Sequence, residues 1–287
     1  MNLILILLFL SPIIFALMNV CEKYTIAKKT KNPLSFAFVS GSTSVFILFV
    51  TSLFLDWKNV TIHDAIFPII AGCILGLQYY FYYTILKDED ISTVIGLYYT
   101  FPLLVAIGSY IFLNEKLSSL GYLGSILIIS GAIGLSIGKI KKKSIILYIV
   151  PLIIIAALGD MFIKIATNYI ENIQGVILSG IAGECMLLPF LFNTKIRNGI
   201  KREWKNIHLA VLINLLSLAG MFILYASMRS LAVTLVSSIT AAQPLFLLFF
   251  EKIADKSMKI AKEKITVKKT LFVLCIIIGS ILLYATI

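Results

Sequence analysis

Charge is scarce in this chain, and acid is scarcer than base. Asp, Glu, Lys and Arg make up 14% of the 287 residues, 14 acidic against 25 basic. An ordinary soluble domain carries roughly 25% charged residues to cover its surface, so a free-standing soluble fold is excluded. Histidine is nearly absent. His63 and His208 stand far apart in no ligand spacing, which argues against a His-based metal centre. Cys21, Cys73, Cys185 and Cys275 form no CxxC pair and no spaced framework, so they read as small apolar residues, not as a disulfide scaffold or redox motif. No Walker A sequence is present to supply ATP drive, and there is no HExxH or aspartate-rich motif for metal-assisted hydrolysis. The net charge of +11 does not indicate nucleic acid, because the basic residues flank apolar runs.

What the chain has in quantity is apolar length: 60% of its residues are hydrophobic. Roughly 20 apolar residues cross a bilayer as a helix. Ten stretches meet that pattern, at 3–22, 34–55, 65–86, 92–113, 118–138, 145–169, 174–193, 207–228, 231–250 and 270–287. The expected fold is therefore an all-α membrane protein of ten transmembrane helices, with no soluble domain and no cofactor. The first stretch lacks the basic start of a cleaved signal peptide, and it reads as a span. Trp57 and Trp204 fall at span boundaries, where interfacial anchors belong. Loops after odd-numbered stretches hold 21 of the 25 Lys and Arg; Lys58, Lys116 and Arg229 follow even-numbered ones, and Lys164 lies inside a stretch. The positive-inside rule then places both termini outside a cell membrane.

The pattern occurs twice. Ala16-Leu17-Met18-Asn19-Val20-Cys21-Glu22-Lys23 matches Ala157-Leu158-Gly159-Asp160-Met161-Phe162-Ile163-Lys164 at an offset of 141. Tyr83, Lys87, Val94, Pro102 and Leu103 match Tyr225, Arg229, Val236, Pro244 and Leu245 at an offset of 142. Units 1–138 and 145–287 each hold five stretches. Five is odd, so the second copy must be inverted in the membrane, as in many carriers whose solute binds between the halves. Gly131, Gly134 and Gly138, and Gly175, Ser179 and Gly183, have the spacing of close helix contacts. Pro102 and Pro244 stand at matching repeat positions, where each should bend its helix and shape or flex the centre.

Ionisable residues inside spans are the strongest functional candidates, because lipid tolerates them poorly. Asp160 and Lys164 are four apart on one helix face and are expected to pair. Glu184 lies near the middle of its stretch, too deep to reach water easily. In the first copy the matching pair is Asn19 and Lys23; Asn19 is neutral and Glu22 is expected off its face, so the first copy lacks the carboxylate. Further polar candidates are Gln78 and Tyr82 within a tyrosine cluster (Tyr79, Tyr80, Tyr82, Tyr83), then Tyr98 and Tyr99, Asn214 with Ser217 and Met221, and Gln243 with Ser237 and Thr240. Amides need several partners, and tyrosine offers an apolar body with a hydroxyl. Lys164 opposite Asp160 and Glu184 favours a zwitterion or mixed polar solute.

These segments resemble the EamA type of the drug/metabolite transporter superfamily. The resemblance is carried by residues Tyr83 to Glu115, with Pro102, the run Leu113-Asn114-Glu115-Lys116-Leu117, then Gly121 and Gly131; Pro244 and Gly279 recur in the second copy, but the counterpart of Glu115 is Ser257. It implies a ten-helix carrier with a central cavity that works by alternating access, often outward, on amino acids, nucleosides, sugars or other metabolites. It also implies cytoplasmic termini, opposite to the Lys/Arg count, which we follow here. The function expected is a secondary transporter, an exporter of a small polar metabolite such as an amino acid. The alternatives are a carrier of a lipid-linked headgroup, an intramembrane enzyme and a membrane scaffold. Expected partners are a small-molecule metabolite, the lipid bilayer, protons as an optional coupling ion and a second copy of the chain.

Overall fold

Unbroken apolar runs form the helices, and prolines mark several of their starts. The computed structural model describes residues 3–85, 91–136, 145–258 and 267–285, and among the described residues the elements are all helical. The first half supplies α1 (Leu3–Tyr24, continued by a π turn at Thr25–Lys29), α2 (Pro33–Ser52), α3 (Ile62–Ile85), α4 (Ile91–Tyr98), α5 (Phe101–Phe112) and α6 (Ser119–Ser136). The second supplies α7 (Ile145–Ala166), α8 (Asn172–Cys185), α9 (Thr194–Glu203), α10 (Ile207–Ser230), α11 (Val233–Thr240), α12 (Gln243–Met258) and α13 (Val267–Tyr284). Among the described residues, seven stretches are long and apolar enough to cross a membrane: Leu3–Tyr24, Pro33–Ser52, Ile62–Ile85, Ile145–Ala166, Asn172–Phe192, Thr194–Ser230 and Val233–Phe250. Shorter apolar helices occupy Phe101–Phe112, Ser119–Leu135 and Thr270–Leu283.

Two of the expected spans are each two helices. A two-residue turn at Tyr99-Thr100 separates α4 from α5, and another at Ala241-Ala242 separates α11 from α12. Pro102 and Pro244 each take the second position of the following helix. In a helix interior proline removes a backbone bond and clashes with the preceding turn, whereas in the first turn it costs no bond. The expected bends are therefore breaks, at matched positions of both halves.

The stretch 174–193 also ends early. After Cys185 the chain turns through a 3₁₀ segment at Leu188–Phe192 and forms α9, which the apolar pattern did not foresee. Asn193 caps α9, its side chain accepting from the Lys195 and Ile196 amides. Ile196, Gly199 and Glu203 are buried, and Lys195, Arg197, Lys201 and Arg202 are exposed, so α9 lies along the surface. Glu203 ties it down by accepting from the Lys31 amide at 3.1 Å and from Asn206 at 3.2 Å. At the end of α5, Asn114 adopts φ 53, and the Glu115 amide donates back to the Ser109 carbonyl at 3.1 Å. Asparagine tolerates this left-handed geometry better than most side chains.

Without a hydrophobic force between helices in lipid, close backbone approach takes over. A Cβ on Gly124 would meet the Gly279 carbonyl, and one on Gly279 the Gly124 carbonyl, which locks α6 against α13. On α3, Gly72 and Gly76 lie against the Ser179 and Gly183 carbonyls of α8. Of the expected small-residue contacts, Gly175 receives the Tyr225 ring and Gly131 and Gly134 receive Phe272 and Ile276; Gly138 lies outside the described residues. The contacts are reciprocal between halves. α1 packs on α10 and α12 as α7 packs on α3 and α5; α3 meets α8 as α10 meets α2, and α5 meets α11 as α12 meets α4; α2–α8 and α6–α13 pair counterparts.

Gly76→Leu should separate α3 from α8, because the added side chain has backbone and the Met186 Cβ in its path. The expected cost is about 1–3 kcal/mol, seen as a lower thermal midpoint in detergent. Leu77→Ala, at a position 45% exposed on the same helix, should leave the midpoint nearly unchanged.

Candidate functional site

A cavity of about 330 Å³ lies where α1, α2, α3, α4, the start of α5, α7, α8, α10, α11 and α12 converge. Of the residues singled out from sequence, Asn19, Gln78, Tyr82, Tyr98, Asp160, Glu184, Asn214 and Gln243 all line it. Ser217, Met221 and Thr240 line it too, together with Tyr79, Tyr83 and Tyr99. Tyr80 does not; its ring is stacked on Phe190 at the surface.

Each carboxylate in the cavity is held by hydroxyl donors. Glu184, one residue before the end of α8, accepts from the Tyr79 hydroxyl at 3.0 Å. The glycine contact of α3 on α8 brings Tyr79 within reach, and Gly41 on α2 leaves room for the carboxylate: a Cβ there would collide with Oε2 of Glu184. Asp160 accepts from Ser237 of α11 at 2.5 Å. Glu22 was expected off the Asn19 face and is not. One turn apart on α1, both residues line the cavity, and Glu22 accepts from Tyr82 at 3.0 Å and Tyr83 at 2.7 Å. The first half therefore does contribute a carboxylate. Tyr82 and Tyr83 beside an apolar helix face were the available signal, since buried phenols need an acceptor.

The amides serve as braces. Asn214 of α10 donates to the Ser40 carbonyl at 2.7 Å and the Thr43 hydroxyl at 2.6 Å, both on α2. Tyr98 donates to Gln78 at 3.3 Å. Tyr99 donates to Gln243, so a residue of one helix break is bonded to the residue beside the other.

Lys164 sits elsewhere. The expected Asp160–Lys164 pair does not form; the Lys164 ammonium reaches Glu115 at 3.1 Å and donates to the carbonyls of Met228 at 2.6 Å and Leu231 at 2.9 Å. Those carbonyls end α10, the negative pole of a helix, and with the carboxylate they outcompete Asp160. The other Glu115 oxygen accepts from the Val233 amide at 2.7 Å. One ion pair thus ties α7, the turn after α5 and the α10–α11 connection together. Among the described residues no group of His, Cys, Asp and Glu is arranged to hold a metal ion.

This geometry accompanies a family match that spans the chain twice. The EamA-like transporter family matches residues 2–137 and again 143–285. The chain belongs to that family, a multi-pass membrane protein of the drug/metabolite transporter kind. A protein crystal structure superposes with a TM-score of 0.74 over 98% of this chain and 97% of that one, at 13% sequence identity. That likeness is one of fold. No curated protein matches.

Lys164→Met should strand Glu115 without its cation, at a cost of about 1–3 kcal/mol for a partly buried pair. The thermal midpoint should fall, and adding Glu115→Gln should recover part of the loss. Full additivity of the two substitutions would show that the pair does not join these segments.

Proposed function

We propose that the chain is a secondary carrier that binds a small polar metabolite in the central cavity and releases it by alternating access, in the export direction. The supporting observation is the cavity itself: polar side chains from both halves converge on one void of about 330 Å³, at the small end of ordinary ligand pockets. In this reading 1–138 and 145–287 are two inverted units, the helical stretches make ten crossings, and the basic loops, α9 included, lie on the cytoplasmic side. The breaks before Pro102 and Pro244 supply flexible points beside the cavity, bonded to each other through Tyr99 and Gln243. The ion pair of Lys164 and Glu115 fastens the face opposite the basic loops.

A lipid-linked phosphate headgroup would call for basic side chains at the site, and among the described residues the cavity lining has none. The family is one of transporters, which favours carriage over catalysis.

Two measurements test the proposal. In vesicles preloaded with a metabolite panel, the wild-type protein should show counterflow of at least one solute. Asp160→Asn and Glu184→Gln should lower it by about tenfold or more, by analogy with other buried polar groups that face a substrate, while eluting as folded protein. Normal transport by both variants would assign the carboxylates a structural role. Proton coupling requires that an imposed pH gradient change the uptake rate, and indifference to the gradient rules it out. For orientation, Lys116→Cys on a cysteine-free background should react with an impermeant maleimide added outside, and Arg197→Cys only after permeabilisation.

A further inference from the structure

The carboxylates in the cavity carry an inference about the solute, one that rests on the carrier reading above. Glu22, Asp160 and Glu184 come from α1, α7 and α8 and line a single void. Among the described residues, no Lys, Arg or His lines it. Lys164, the cation expected there, is engaged by Glu115 and two carbonyls. The groups that do hold the carboxylates are hydroxyls: Tyr82 and Tyr83 on Glu22, Tyr79 on Glu184, and Ser237 on Asp160. A hydroxyl donates a hydrogen bond but brings no positive charge. A carboxylate has about four acceptor positions, so these contacts leave room for N–H donors.

The same lining suits a carboxylate ligand poorly. Both amide hydrogens of Asn214 are engaged by Ser40 and Thr43. Gln243 and Gln78 accept from Tyr99 and Tyr98 through their oxygens, and their N–H groups are neutral donors that bring no positive charge. A solute carboxylate would find three carboxyl groups and, among the described residues, no cation, and each of those groups when ionised repels it strongly. An ammonium would find charge-assisted partners, and the faces of Tyr98 and Phe101 offer walls for its organic body.

We propose that the transported solute is an organic amine, protonated and without a carboxylate, whose ammonium is held by Glu22 and Glu184. The zwitterion suggested by the sequence loses its support with Lys164, because among the described residues the lining holds no cation to meet its carboxylate.

The test uses matched compounds in proteoliposome counterflow with the full-length protein. Tyramine, N-acetyltyramine, 4-hydroxyphenylacetate and tyrosine share a ring and differ in charged groups; butylamine, N-butylacetamide, butyrate and norvaline form an aliphatic set. The amine of at least one set should exchange about tenfold faster or more than its three companions, the margin expected when a buried polar site loses its partner. Glu22→Gln and Glu184→Gln should each erase most of that preference, and a variant that fails to elute as folded protein is replaced by Glu22→Asp or Glu184→Asp, which should retain it. If an acetylated amine, an acid or an amino acid exchanges as fast as the amine, this proposal falls and the carrier reading stands. If neither set moves, the metabolite panel decides: a moved solute bearing an amine without a carboxylate supports the proposal, and any other overturns it. If nothing exchanges above empty vesicles, both fall together.

Discussion

Everything about the centre of this protein follows from one constraint: a carboxylate inside a bilayer has to be given hydrogen-bond donors by its own chain. Lipid supplies none, and each ionisable group placed there is costly unless partnered. Glu22 has Tyr82 and Tyr83, Glu184 has Tyr79, and Asp160 has Ser237. These partners come from different helices, so meeting the constraint fixes how α1, α3, α7, α8 and α11 stand relative to one another. Gly72 and Gly76 allow α3 to approach α8 closely enough for Tyr79 to reach its acceptor, and Gly41 leaves space for that acceptor. Packing and polarity are a single arrangement at this point.

The two halves meet that constraint with different side chains on a shared frame. Contacts between helices are exchanged almost reciprocally when one half is swapped for the other. The helix breaks before Pro102 and Pro244 occupy equivalent places and are joined by Tyr99 and Gln243. Across the same frame the chemistry diverges: Asn19 in one copy corresponds to Asp160 in the other, and Glu22 to Ile163. A repeated backbone therefore carries a cavity with no internal symmetry of charge.

Much of this is legible in the sequence, and the parts that are not have physical causes. Long apolar runs, paired prolines and the repeat depend on composition and spacing, so they were visible. Eight polar positions proposed for the cavity do line it, because a polar side chain in an apolar helix has few other places to go. Glu22 escapes a reading built on the four-residue spacing of Asn19 and Lys23, because residues three apart share a face as well. Lys164 was misplaced because its partners, Glu115 and the carbonyls closing α10, are far away in sequence and two of them are backbone atoms. No pattern of side chains announces a carbonyl. The surface helix α9 was missed for a third reason, since an apolar window averages away a short helix whose exposed face is basic.

The fastening built on Lys164 draws on an acidic residue that the second copy replaces. That partner, Glu115, corresponds in the second copy to Ser257, and at the opposite end Glu203 accepts from Asn206 and the Lys31 amide. In the proposed carrier, two ends fastened by unlike chemistry would give two resting forms of unequal energy. Such a difference leaves the final solute distribution across the membrane unchanged. It does make half-saturation fall at different concentrations on the two sides, so a uniporter of this design behaves as a kinetic rectifier without consuming any gradient.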